Sequence, residues 1–185
     1  MKNLVLLVLC AFCSIANAQK IEFDHVSKDG IRTIMGETVV VRSFTDKVVF
    51  KVGLSASIFE EKVIYSVIVE ATSLTPYKIE KGMKLLLKDK NKNIVSLEAD
   101  GDFDASVRDV HNISGMVYSD YTTSALYTIS EEQISQLSEG VLKIGQEHTT
   151  GRFDKEYKKD KIGAVLKKEY TLIQEAIKTK PGNDF

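Results

Sequence analysis

The stretch Lys62-Val63-Ile64-Tyr65-Ser66-Val67-Ile68-Val69-Glu70 is dominated by β-branched and apolar residues, as strands prefer. Its apolar side chains fall on both alternating faces, which predicts a central strand that is buried on both sides. Phe59-Glu60-Glu61 separates this stretch from the apolar run Lys47–Val52. We therefore expect the two runs to form an antiparallel hairpin.

Apolar residues tend to recur at every second position from Ile21 to about Ile129, which is the period of a β-strand. Asp29-Gly30 is typical of a tight turn, and Asp89–Lys92 is typical of a hairpin loop between two strands. The further segments that this pattern predicts to be strands are 38–42, 83–88, 93–99, 107–113, 115–118 and 124–129.

The period changes at Ser130-Glu131-Glu132-Gln133, a capping-box sequence that predicts a short helix near 131–138. Gly140 suits the residue that ends this helix, and 141–147 again has the pattern of a strand. A second, amphipathic helix is expected near 160–180, because Ile162, Leu166, Tyr170, Ile173 and Ile177 recur every three or four residues. Gly163 weakens its first turn, which favours a later start.

These patterns predict a mainly β fold, an antiparallel β-sandwich of about seven to nine strands with the two helices. The alternative is an open sheet wrapped around the terminal helix. No repeat or linker divides the chain, so residues 19–185 are expected to form a single domain.

The first 18 residues have the pattern of a signal peptide: Lys2, an apolar run from Leu4 to Ile15, and Ala16-Asn17-Ala18 as the cleavage site. The expected mature protein is exported, to the periplasm or the cell exterior, and has no transmembrane span. Both cysteines, Cys10 and Cys13, lie in this leader, which excludes thiol chemistry from the mature chain. The net charge of −1 gives no reason to expect nucleic acid as a partner.

Asp100, Asp102 and Asp104 alternate in a turn-like segment and are the candidate ligands for calcium. The calcium loop of an EF-hand would require glycine at the position of Ala105 and glutamate at the position of His111. Because neither is present, the alternative interpretation is an acidic turn that binds no ion. Without calcium, no cofactor is expected.

Asp109 and His111 lie two residues apart, which places them on one face of a strand. Such a pair can orient an imidazole for base catalysis. With the three aspartates above, it defines an alternative hypothesis of a hydrolase or a calcium-assisted enzyme.

Tyr118, Tyr121 and Tyr127 are candidate binding residues, because an exposed aromatic strip can stack on a sugar or a peptide. Burial in the core is the competing interpretation. For the terminal helix, peripheral membrane attachment is a further alternative, and it requires Leu166, Ile173 and Ile177 to be exposed. The charges of both signs on this helix favour a different arrangement, in which the charged face is solvated and the apolar stripe packs against the core.

The unit Tyr127–Ile134, with Leu137, Gly140-Val141 and Lys143-Ile144, resembles that of uncharacterised exported β-rich proteins of gut Gram-negative bacteria. The hairpin sequence 82–88 and the lysine-rich terminal helix share this resemblance, which covers roughly the C-terminal half. It implies export and a β-rich fold, and it transfers no catalytic residue.

The function that we expect is that of a non-catalytic binding or structural module, with a protein, a peptide or an envelope component as its partner. This expectation follows from the lack of a recognisable nucleophile, metal cluster or phosphate loop in the sequence.

Overall fold

The structure is a computed structural model that describes residues 19–41 and 48–179. The expected signal peptide, 1–18, lies outside the described residues, as do Arg42, Lys47 and the end of the predicted terminal helix at Lys180. The described elements are β1 (Ile21–Val26), β2 (Arg32–Gly36), β3 (Val39–Val41), β4 (Val49–Phe59), β5 (Lys62–Ser73), β6 (Lys78–Ile79), β7 (Lys84–Asp89), β8 (Ile94–Glu98), β9 (Phe103–Asp104), β10 (Ser106–Ile113), β11 (Met116–Ile129), α1 (Glu131–Ser138), β12 (Val141–His148), β13 (Gly151–Glu156) and α2 (Ile162–Lys178).

The strands form antiparallel sheets, which confirms the mainly β fold class with one short and one C-terminal helix. The large sheet has the order β1-β2-β4-β5-β11-β10, with β3 also paired to β4. A second sheet has the order β13-β12-β7-β8, and β6 pairs with β9. The thirteen described strands exceed the seven to nine expected, in part because β6 and β9 are only two residues long and leave too short a sequence pattern to recognise.

The β4–β5 hairpin is the centre of the large sheet, as the opening stretch predicts. Glu60 and Glu61 form the two-residue turn with φ values of 47° and 68°, the backbone conformation that matches the twist of the paired strands. β5 pairs with β4 on one side and with β11 on the other. Its residues 65–69 are all buried.

The core joins the two main sheets and both helices in one apolar cluster. Ala99 of the second sheet forms a bridge to Tyr127 of β11, and α2 packs against β4, β2 and β1. The large side chains that are fully buried include Phe50, Leu54, Leu85, Leu87, Ile144, Leu166 and Ile173. None of the helices in the described part of the chain has the length and apolar character required to cross a membrane.

The terminal helix begins at Ile162, two residues later than the expected start near 160, and it includes Gly163 in its first turn. A Cβ at position 163 would lie 2.8 Å from the Cα of Gly140 and would overlap the carbonyl oxygen of Leu137. Glycine is therefore needed where α1 and α2 approach each other. Asp160 compensates for the weak first turn, because its carboxylate accepts hydrogen bonds from the amides of Gly163 and Ala164 at 2.8 and 3.0 Å.

Two strands differ from the sequence prediction. The segments 115–118 and 124–129 belong to one continuous strand, β11, because the intervening polar residues pair with β10 and β5. β13 has Phe153 as its one large apolar residue, so its sequence lacks the apolar alternation that would predict a strand. It pairs with β12 at the sheet edge, and most of its side chains are exposed.

Candidate functional site

The β10–β11 hairpin extends beyond the rest of the large sheet. Residues 121–129 of β11 pair with β5, whereas residues 116–120 pair with β10 alone. Ser114 and Gly115 form the turn, with φ values of 53° and 83°. Within the described residues, this part of the hairpin is a two-stranded ribbon that presents side chains on both faces.

One face of the ribbon is polar. Strand pairing places Asp109 directly opposite Asp120 and His111 directly opposite Tyr118. We call these four residues the polar face. Nε2 of His111 lies 3.0 Å from Oδ2 of Asp120, and each of Asp109, His111 and Asp120 offers a ligand atom within 4.8 Å of the other two.

Neighbouring side chains hold the polar face in place. The imidazole of His111 stacks on the Tyr118 ring with a centroid distance of 4.8 Å and an interplanar angle of 24°. Nε of Arg108 lies 3.3 Å from Oδ2 of Asp109. Two carboxylates directly opposite each other repel, so a nearby cation stabilises this arrangement.

The other face of the ribbon carries three solvent-exposed valines, together with the polar side chains of Asn112 and Ser119. Val107, Val110 and Val117, which we call the apolar face, are 57%, 65% and 66% exposed. Met116, beside the turn on the side of the polar face, is 70% exposed. Exposed apolar side chains are thus concentrated on one short hairpin, which is typical of an interaction surface.

The structure does not bring together the aspartates predicted to bind calcium. Oδ1 of Asp102 accepts a hydrogen bond from the Lys81 amide at 2.9 Å, and Asp104 pairs with Lys78 between β9 and β6. Burial raises the pKa of Asp100, which hydrogen-bonds through its amide to Leu126 in β11. Among the described residues, the one group of His, Cys, Asp and Glu side chains close enough to share an ion is Asp109, His111 and Asp120.

The proposed enzyme cluster is therefore only partly assembled. Asp109 and His111 share a face, as their spacing predicts, but Asp120 joins them in place of Asp100, Asp102 and Asp104. Asp120 was missed because its proximity depends on hairpin register and not on local spacing.

The three candidate tyrosines do not form one exposed strip. Tyr127 is fully buried, and its hydroxyl accepts a hydrogen bond from Gln146 at 3.1 Å. Tyr121 is half-buried and lies on the opposite face of β11 from the exposed Tyr118. Only Tyr118 therefore belongs to the hairpin's exposed polar face.

The other two histidines have different surroundings. His25 is exposed on β1 beside Phe23. His148 is buried between Tyr77 and Phe153, and this burial lowers its pKa. Nδ1 of His148 lies 3.0 Å from the Thr150 hydroxyl, which is consistent with a structural role.

A shallow groove of about 490 Å³ lies where β5 begins and β11 ends. It is lined by residues 62–65 and by Thr128, Ile129, Ser130, Glu131 and Gln133, none of which the sequence analysis selected as a site residue. At its side, the hydroxyl of Tyr170 donates to Glu131 at 3.0 Å. The side chains that line this groove do not indicate a particular class of ligand.

The apolar stripe of α2 is covered by the protein itself. Leu166 and Ile173 are 0% exposed, and Ile177 is partly buried against the core. The exposed stripe required for membrane attachment through this helix is therefore not present.

No protein-family model matches the chain, and no curated protein or solved structure matches it at a significant level.

Proposed function

We propose that this protein is an exported, non-catalytic module that binds a partner polypeptide through the β10–β11 hairpin. The observation that carries the proposal is the concentration of exposed apolar side chains at Val107, Val110, Met116 and Val117 on a ribbon that extends beyond the core. Because these side chains contribute little to the described core, their exposure calls for another explanation.

The free edge of β10 favours an extended segment as the partner. β10 is the last strand in the order of the large sheet, and among the described residues it pairs with β11 alone. An unpaired edge presents backbone N–H and C=O groups that can bind a further strand. The bulge between Val107 and Asp109 restricts regular pairing to the part of β10 that lies between this bulge and the hairpin turn.

The apolar face would supply specificity to this strand pairing. Val110 and Val117 lie diagonally across the ribbon on one face, because Val110 is opposite Ser119 and Val117 is opposite Asn112. An added strand next to β10 would place alternate side chains over this face. Export brings the module to partners outside the cytoplasm, and this part of the proposal is supported by the leader sequence.

The test compares the wild-type protein with the double variant Val110→Thr/Val117→Thr, which keeps the β-branched shape and reduces apolarity. The control is Ile94→Thr, because Ile94 is 64% exposed but lies on β8, away from the hairpin. Each protein is used to capture partners from the native cell envelope. The captured protein is then purified, and its dissociation constant is measured for all three forms.

We expect a stoichiometric partner whose binding is weakened at least about tenfold by the double variant, a loss of about 1.4 kcal/mol, and is unchanged by the control. Amide hydrogen exchange in the complex should slow within 106–113. Equal binding by the double variant, or protection confined to other strands, would contradict the proposal.

A further inference from the structure

We propose that Asp109, His111 and Asp120 form a binding site for a divalent transition-metal ion, with Zn²⁺ as the best match. The site lies on the polar face of the hairpin, so it does not depend on strand pairing by the apolar face. It goes beyond the proposed function, because a binding module does not require a metal.

The chemistry of the donors selects the class of ion. An imidazole nitrogen with two carboxylates suits Zn²⁺ and related first-row metals, whereas Ca²⁺ and Mg²⁺ prefer sites made entirely of oxygen. Three protein ligands leave at least one coordination position for water or another ligand, the arrangement that distinguishes open zinc sites from closed structural ones.

The geometry is close to that of a bound site. The ligand atoms lie within 4.8 Å of one another, and Zn–N and Zn–O bonds of about 2.0–2.2 Å place ligands on a common ion up to roughly 4 Å apart. Small side-chain rotations would therefore complete the site. Asp109 is exposed, and Asp120 is half-buried, so each carboxylate can turn towards the imidazole without moving the core.

The surroundings also favour an ion. Asp109 and Asp120 face each other directly across the ribbon, and a divalent cation would remove the repulsion between their carboxylates. The stacking on Tyr118 fixes the plane of the imidazole, and a fixed ring orientation strengthens metal binding by histidine. Nε2 of His111 already points towards Asp120, so the same nitrogen can serve as the ligand atom.

The test is a calorimetric titration of the purified protein with ZnCl₂, and in parallel with CaCl₂. We expect one Zn²⁺ per chain, and a thermal unfolding midpoint that rises with the Zn²⁺ concentration, since an ion that binds only the folded state stabilises it. His111→Gln and Asp120→Asn should each weaken Zn²⁺ binding at least about tenfold. His25→Gln and Asp102→Asn, which change an exposed histidine and an exposed aspartate elsewhere, should leave it unchanged.

A second measurement uses the wild-type protein and does not depend on the folding of any variant. In NMR spectra, Zn²⁺ should shift the ring signals of His111 and leave those of His25 in place. The proposal is overturned if Zn²⁺ binding does not saturate, if His111→Gln binds Zn²⁺ as tightly as the wild type, or if Ca²⁺ binds at the same residues with equal affinity.

Discussion

The carboxylate of Glu169, on α2, accepts a hydrogen bond from the backbone amide of Leu54, in the middle of β4. This contact fills a gap in the large sheet. β2 pairs with β4 as far as Met35 opposite Ser55, and β3 resumes with Val39 opposite Val52. Leu54 lies between these two ladders, so the helix supplies an acceptor where no strand does.

Gly36 creates the space for this side chain. A Cβ at Gly36 would lie 2.7 Å from Cδ of Glu169, whereas a Cβ at Gly53 would make an ordinary 3.5 Å contact with Oε2. The carboxyl is fully buried, and this burial raises the pKa of Glu169 to about 8. Gln19 donates to its other oxygen at 3.1 Å, and with the Leu54 amide it limits the rise.

The protein should lose stability as the pH rises, because folding raises the pKa of Glu169 from 4.5 to about 8. Between these two pH values the native state binds more protons than the unfolded state. The contribution of Glu169 to the free energy of unfolding is therefore fully present below pH 4.5 and is lost as the pH rises through about 8. The size of the loss is on the order of 5 kcal/mol. Glu169→Gln should remove it, measured as the free energy of unfolding in urea at pH 5 and at pH 8.5.

Glu175→Gln is the matched control, because Glu175 lies on the same helix and is exposed. It should retain the pH dependence of the wild type. If Glu169→Gln and the wild type lose the same stability between the two pH values, Glu169 is not the group that titrates.

Gly163→Ala should destabilise the protein, although alanine is the better helix former. The added methyl group would overlap the backbone at Leu137, in α1, and at Gly140, just after it, and backbone cannot move aside as the end of a side chain can. The expected loss is about 2 kcal/mol in the free energy of unfolding. Gly101→Ala serves as the control, because its Cβ would make an ordinary 3.7 Å contact with Phe103. A neutral or stabilising effect of Gly163→Ala would show that α1 and α2 do not pack this closely.

Local signals in the sequence predict much of the fold. The capping box at Ser130, the Glu60-Glu61 turn and the apolar rhythm of α2 each depend on residues a few positions apart, and all are found in the structure. The same rhythm places Glu169 on the apolar stripe, since it lies three residues after Leu166 and four before Ile173. Its charge nevertheless predicts a place on the solvated face, because a buried carboxylate needs partners, and here these come from distant strands that the local sequence does not reveal.

The candidate site depends on contacts that local spacing does not reveal. Asp109 and His111 are neighbours along one strand, but Asp120 joins them only through the register of the hairpin. Taking Ser114-Gly115 as the turn would have predicted that Asp109 faces Asp120. In contrast, Tyr118, Tyr121 and Tyr127 look like one strip in the sequence, although the alternation of β11 and the packing of the second sheet separate them.

Ser130→Ala should destabilise the protein by about 1 kcal/mol. The Ser130 hydroxyl accepts from the Gln133 amide at 3.3 Å, and the Gln133 side chain accepts from the Ser130 amide at 3.0 Å. Removing the hydroxyl leaves the first turn of α1 without this acceptor. Thermal denaturation of Ser130→Ala beside Ser135→Ala, an exposed serine within the same helix, provides the comparison. Equal midpoints for the two variants would argue against the capping role.

Arg32 fastens the C-terminal end of α2 to the large sheet. Its guanidinium makes two hydrogen bonds to the Asp24 carboxylate, at 2.8 and 2.7 Å, and donates to the carbonyl oxygens of Ala176 and Thr179 at 3.0 and 2.9 Å. The Arg32 side chain is only 10% exposed. These carbonyls lie at the C-terminal end of the helix, where positive charge is favourable. The Ala176 carbonyl also accepts hydrogen bonds from the amide and the hydroxyl of Thr179, at 3.0 and 2.8 Å.

Arg32→Ala should therefore lower the free energy of unfolding by about 2–3 kcal/mol, because it leaves the Asp24 carboxylate without its guanidinium partner and removes one hydrogen bond from each of the two carbonyl groups. Arg32→Lys should recover only part of this loss, since an ammonium group cannot make the paired contact with a carboxylate. Arg152→Ala is the matched control: Arg152 also pairs with an aspartate, Asp154, at 2.7 Å, but its side chain is 45% exposed. Such an exposed pair contributes about 0–1 kcal/mol. Equal losses for Arg32→Ala and Arg152→Ala in urea denaturation would show that Arg32 does not anchor the helix, whereas faster amide exchange at 173–179 in Arg32→Ala alone would locate the effect at the end of α2.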